Sequence, residues 1–320
     1  MEQAPRFDHA GSSVPGHNAS SMRGGHGDDK EGGNGDRHGA RSQYRPARDQ
    51  LTAAPGIIDT HCHLNLLDAE GLLQPALVSI RTANLAAVVS VGLNLNDSRA
   101  NAMIASAVPR CYFSVGWHPE EPDSPSADEM QQLEDLLRKP LAVAVGEIGL
   151  DFFFRPGYHE VPASVQEKSF QSMLDLAQRY RKPVLIHDRL AHERILEILA
   201  DFPGVTGVMH CFSGDTQHLA RVLDRGFMVS FSGIVTFRNS YELQEVARRV
   251  PSDMFVLETD SPFLAPVPHR GKRNLPGYIA ETAACVAWCR GIQVAEVVAA
   301  SSQNARALLG LAALPDMEAG

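Results

Sequence analysis

Two histidines one residue apart, His61 and His63, follow the short apolar run of "IIDTHCHL". Side chains two apart on a strand point to the same side, so both imidazoles can face one cation while Cys62 faces away. Ligand-type residues recur at the ends of later apolar runs: His118 in "GWHPE", Glu147 and Asp151 in "GEIGLD", His187, His210, and Glu258 and Asp260 in "ETD". Six of these, His61, His63, Glu147, His187, His210 and Asp260, suit a cluster of two divalent cations. A carboxylate can give one oxygen to each cation and reduce their repulsion, whereas a neutral imidazole cannot bridge in that way. Glu147 is the natural bridge. Nitrogen and oxygen ligands without thiolate suit zinc, manganese or magnesium alike. The chemistry of such a site is hydrolysis by an activated water, with Asp260 as candidate general base.

These residues need a scaffold that gathers strand ends. The apolar runs "GIID", "AAVVSV", "CYFSVG", "LAVAVGE", "KPVLIH", "VTGVMH", "GFMVSFSG" and "DMFVLETD" read as eight strands. Between them, "VQEKSFQSMLDLAQRYR" and "HERILEILADF" carry apolar residues at three- and four-residue steps, the helical period. "VAEVVAASSQNARALLG" reads as a closing helix. Eight strand–helix units over roughly 260 residues predict an α/β chain folded as a (β/α)8 TIM barrel, whose strand C-termini converge on one mouth. An open doubly wound sheet alternates in the same way, but no glycine-rich dinucleotide fingerprint follows the first strand.

At 320 residues, 44% hydrophobic and 21% charged, the composition is that of a globular enzyme. No run approaches the roughly 18–20 apolar residues of a membrane helix, and no secretory h-region is visible. Five scattered cysteines predict a reducing, cytoplasmic setting rather than a disulfide framework. The pair Cys285 and Cys289 reads as structural. A net charge of −9 counts against a broad basic surface that coats nucleic acid, but not against local cations gripping a strand end. Residues 1–52, rich in Gly, His and Arg, lack periodic aliphatic residues and are read as a disordered tail, with His9, His17, His26 and His38 as loose metal binders at most. The barrel is expected over 53–312, with 313–320 a short C-terminal tail.

For substrate, "HRGKRN" supplies Arg270, Lys272 and Arg273 after the last strand, and Arg189 follows His187. Guanidinium binds phosphate bidentately, so these and His118 are candidate phosphate contacts. His118 is also a candidate proton donor to the leaving oxygen. Among Phe152, Phe153 and Phe154, some can stack on a terminal base and at least one belongs to the core. Asp59 and Asp151 are expected to orient imidazoles or loops. Cys62 and Cys211 read as structural.

The motifs "IIDTHCHL", "SVGWHPEE", "VGEIGLDFFF", "KPVLIHDRLAHE", "VMHCFSGD", "VSFSGIVTF", "LETDSPFLAP" and "HRGKRNLPGYI", in this order, make the chain from about Pro55 to Leu309 resemble the TatD family of metal-dependent hydrolases. The resemblance implies an amidohydrolase-type barrel, two divalent metal ions and a 3′→5′ exodeoxyribonuclease acting on DNA strand ends in repair or nucleic-acid turnover. It implies His61, His63, Glu147 and Asp260 around one metal, and Glu147, His187 and His210 around the other. Two departures stand out: Glu120 occupies a position where many members carry histidine, and Phe152 and Phe153 stand where tyrosines are common. The alternative reading is an amidohydrolase-type enzyme on a C–N or carboxyl-ester bond, such as a D-aminoacyl-tRNA deacylase. A monomer is expected.

Overall fold

Runs of Val, Ile, Ala and Phe pair side by side because both their faces can be covered. The computed structural model describes Tyr44, residues 56–154 and residues 158–311. Eight strands lie in chain order: β1 (Ile58–Cys62), β2 (Ala87–Ser90), β3 (Cys111–Val115), β4 (Ala142–Asp151), β5 (Val184–Arg189), β6 (Gly207–Met209), β7 (Met228–Phe231) and β8 (Phe255–Leu257). Each pairs in parallel with the next. The Asp260 amide donates to the His61 carbonyl at 2.8 Å, and the His63 amide to that of Ser261 at 2.7 Å. The chain just past β8 is thereby tied to the end of β1, and the sheet curls into a (β/α)8 barrel.

Among the described residues the helices are α1 (Leu64–Ala69), α2 (Leu73–Thr82), α3 (Leu95–Ala107), α4 (Ala127–Leu137) and α5 (Ala163–Tyr180), then α6 (His192–Ala200), α7 (Thr216–Asp224), α8 (Tyr241–Arg249), α9 (Ile279–Arg290) and α10 (Val294–Leu309). The longest, α5, buries Phe170, Met173, Leu174 and Ala177 on one stripe and ends where Arg181 adopts φ 51°. The sequence places helices at 165–181, 192–202 and 294–310, within a few residues of α5, α6 and α10. No single described helix is long and apolar enough to cross a membrane.

Two apolar layers hold the barrel. The larger lies mostly between strands and helices and includes Phe113, Ile148, Phe170, Ile186 and Val286. The smaller holds Ile58, Val89, Val143, Leu185, Val208 and Val256 with Leu309 and Leu311. Leu185, Val208 and Val256 each sit two residues before His187, His210 and Glu258, so strand alternation stacks an apolar floor beneath a polar layer.

The readings of 1–52 as a disordered tail and of 313–320 as a C-terminal tail lie outside the described residues, Tyr44 excepted. The Tyr44 ring rests 5.8 Å from that of Trp288 on α9. All five cysteines are free, and Cys62, Cys111, Cys285 and Cys289 are buried.

Candidate metal centre at the barrel mouth

Glu147 projects from the middle of β4 into a ring of five imidazoles and is 3% exposed. Its two oxygens face different partners. Oε2 lies 3.3 Å from His61 Nε2 and 3.9 Å from His63 Nε2. Asp260 Oδ1 completes this side, 3.3 Å from His63 Nε2 and 3.8 Å from His61 Nε2, and the two imidazole nitrogens are 3.3 Å apart. Four ligands at roughly 2.1 Å from a tetrahedral cation stand roughly 3.4 Å from one another. Oε1 faces the other side, 2.8 Å from His187 Nδ1, 3.0 Å from His210 Nε2 and 3.4 Å from His118 Nε2.

His118, read as a phosphate contact, thus belongs with His187 and His210 in this geometry. His63 lies just past the end of β1, at the N-cap of α1. It reaches the site from a loop rather than by strand alternation. β3 comes close to Glu147 because residue 116 is glycine: a Cβ there would overlap the Gly92 carbonyl and the Glu147 amide nitrogen.

Outer partners aim the rings. His63 Nδ1 lies 3.2 Å from the Val91 carbonyl, which can only accept, so Nε2 is left for the site. His210 Nδ1 lies 3.2 Å from Glu258 Oε1, and His187 Nε2 lies 3.1 Å from Asp151 Oδ2. Such carboxylate–histidine pairs set tautomer and ring orientation in metal sites. Glu258 is buried and also accepts from the Cys211 amide at 2.7 Å and the Ser230 hydroxyl. Asp59 aims no imidazole; it accepts from the amide of Thr259 at 3.0 Å and its hydroxyl at 2.6 Å, joining β1 to the segment after β8. Asp260 itself sits at φ 57°, a left-handed backbone that a non-glycine residue seldom adopts and that recurs at functional sites.

Burial raises the pKa of Glu147, but His210, His118 and His61 outweigh it and hold the carboxyl well below its usual range. Burial pushes His61 down to about 4. Burial also lowers His187, yet Asp151 and Glu147 overcome it and raise the ring to about 9. Glu147 and Glu258 likewise raise His210 well above its usual value against burial. Without a cation, His187 and His210 therefore hold protons at pH 7. Metal requires neutral imidazole, so binding should expel about one proton from each. Affinity is expected to strengthen as pH rises through about 9, the sign set by the raised value of His187. Calorimetric titration of Mn²⁺ in two buffers of different ionisation enthalpy checks this; proton-silent binding would contradict it.

The remaining sequence candidates divide. Arg189 ends β5 beside the cluster, its guanidinium 4.0 Å over the Phe153 ring and donating to the Tyr158 hydroxyl at 2.7 Å. The Tyr158 hydroxyl in turn donates to Asp151 Oδ2 at 3.4 Å, and burial together with the Glu120 and Asp151 carboxylates pushes its pKa up. Phe152 packs partly against the core and Phe154 is 48% exposed, so the three phenylalanines do separate. Arg270 lies over Phe237 at 3.8 Å and Arg273 pairs with Glu70 at 2.7 Å, while Lys272 is exposed. The partners shown for these two arginines lie outside the Glu147 cluster.

The donor set fits divalent cations: each oxygen of one carboxylate opposes at least two imidazole nitrogens, and buried His61 Nδ1 lacks a hydrogen-bond partner. The family model described as TatD related DNase matches residues 58–310. YcfH of Escherichia coli K12, described as an uncharacterized metal-dependent hydrolase, is 36% identical over 78% of this chain and 93% of its own length. YabD of Bacillus subtilis, described likewise, is 31% identical over 79% of this chain and 98% of its own. The crystal structure of YjjV, a TatD homolog from Escherichia coli, superposes with a TM-score of 0.73 at 27% identity, covering 80% of this chain and 98% of that one.

Proposed function

Because the chain belongs to the TatD family of metal-dependent hydrolases, we propose that it is a 3′→5′ exodeoxyribonuclease cleaving phosphodiester bonds at DNA strand ends. The observation that carries this reading is the division of Glu147, with Oε2 toward His61, His63 and Asp260 and Oε1 toward His118, His187 and His210. That arrangement suits two cations, which would stabilise the attacking and leaving oxygens of an in-line displacement at phosphorus. Mn²⁺ and Zn²⁺ suit this imidazole-rich donor set, and Mg²⁺, which prefers oxygen, suits it less well.

Cations held there supply a water of lowered pKa and offset the negative charge of the attacked phosphate. The chain's own groups do the rest. Asp260, a carboxylate within 3.3 Å of His63 Nε2, is placed to take the proton of the attacking water. Glu147 offsets positive charge on both sides. Asp151 and Glu258 keep the His187 and His210 rings from turning. Arg189, on its phenylalanine shelf, is the mouth cation best placed to hold a phosphate oxygen, and exposed Phe154 offers a face to a terminal base. Arg270, Lys272 and Arg273 extend the same charge along the rim. We read the enzyme as a cytoplasmic monomer.

The test uses oligonucleotides labelled at either end. The 5′-labelled strand should shorten stepwise while the 3′ label leaves at once as mononucleotide. EDTA should abolish both, and Mg²⁺ or Mn²⁺ should restore them. Cleavage that persists under strict chelation, or turnover confined to aminoacyl-tRNA or lactone substrates, would overturn the reading.

A further inference from the structure

Outside the Glu147 cluster, three side chains from three elements converge. Asp188 follows His187 on β5 and, by strand alternation, faces the other side of the barrel wall. His192 is the first residue of α6 and His218 the third of α7. Asp188 Oδ2 lies 2.7 Å from His192 Nδ1 and 3.4 Å from His218 Nε2. The two imidazoles stack with centroids 4.2 Å apart, and Phe212 backs His218 at 5.3 Å. Gly214 makes this possible, since a Cβ there would press on the His218 ring at 2.5 Å. His218 is 7% exposed, yet neither of its ring nitrogens makes a hydrogen bond of proper geometry.

We propose that Asp188, His192 and His218 form a transition-metal site, separate from the Glu147 cluster, that takes a Zn²⁺-class cation and pins the first turns of α6 and α7 to the end of β5. As a hydrogen-bonded triad the three would leave His218 Nε2 unsatisfied in a buried place, which is costly. A cation satisfies that nitrogen, His192 Nδ1 and Asp188 Oδ2 together. These atoms lie within 4.8 Å of one another, close enough for small movements to bring all three onto one ion. Two imidazoles and one carboxylate suit Zn²⁺ or Co²⁺ and match Mg²⁺, which demands oxygen, poorly. The His192 side chain, 32% exposed, leaves a path for entry and for water as a further ligand. Asp215, whose carboxylate caps α7 through the amides of Gln217 and His218, adds negative charge near His192, while the carboxylate of Glu193 on α6 is paired with Arg221.

The test titrates the metal-free full chain with Zn²⁺ against a chromophoric chelator, comparing the unaltered protein with His192→Ala. The N-terminal histidines and the Glu147 cluster are common to both, so the difference reads this site. His192→Ala is expected to bind one equivalent fewer and to show a smaller visible absorption with Co²⁺, while its metal-dependent hydrolysis stays within about twofold. Competing Mg²⁺ should not displace the lost equivalent. His218→Asn should reproduce the loss, guarding against a local effect at the start of α6. Equal equivalents in the unaltered protein and in either folded variant, checked by circular dichroism, would overturn the proposal.

Discussion

Glu147→Gln is expected to lower kcat by about 10³-fold or more while the barrel still folds. Glutamine keeps the shape and one oxygen but loses the charge and turns an amide N–H₂ toward one of the two donor sets. Among the described residues, Glu147 is the one whose oxygens meet both: His61 and His63 through Oε2, His118, His187 and His210 through Oε1. Its anion would let two cations sit close together. Losing the electrostatic stabilisation they supply, worth about 4 kcal/mol, corresponds to about a thousandfold in rate. Steady-state rates on labelled DNA and metal content by mass spectrometry check this. A variant with full metal content and near-normal turnover would refute the assignment.

Asp260→Asn should be nearly as damaging, for a different reason. The amide can still approach His63 but cannot accept a proton from water. A positioned general base contributes about 10²–10⁴-fold, so kcat should fall by that order, with KM little changed if the substrate is held by Arg189 and the cations. The left-handed backbone at Asp260 is held by its N–H, which donates a hydrogen bond to the His61 carbonyl and which the substitution keeps, so the fold should persist by circular dichroism. Turnover within a few-fold of the unaltered protein would show that another group takes the proton.

The barrel was legible because its strands are short β-branched runs at regular spacing, and because α5 and α6 repeat apolar residues at the helical period. The clustering of His61, Glu147, His187, His210 and Asp260 is legible for the same reason: each ends an apolar run of the sequence, and a (β/α)8 barrel brings those runs together, although β4 and β5 continue past Glu147 and His187 to Asp151 and Arg189. His118 was legible as a mouth residue but not as a neighbour of Glu147 Oε1, since that depends on how closely Gly116 lets β3 approach β4. Glu258 is legible as a ligand-type residue at the end of the last apolar run, but not as the partner of His210. Its value lies in partners far along the chain, the Ser230 hydroxyl on β7 and the Cys211 amide after β6. Asp188, His192 and His218 escaped because two of them lie on helix starts, where only the packing of α6 beside α7 makes neighbours of them. The "HRGKRN" loop is legible as a run of charge, but its contacts, Arg273 to Glu70 and Arg270 to Phe237, are tertiary.

The central claim is that one carboxylate joins two cations, and anomalous diffraction from Mn²⁺-soaked crystals tests it most directly. Two peaks about 3.5–4 Å apart should flank the Glu147 carboxyl, one among His61, His63 and Asp260 and the other among His118, His187 and His210. A fully active crystal form with one peak, or with none touching Glu147, would contradict the account.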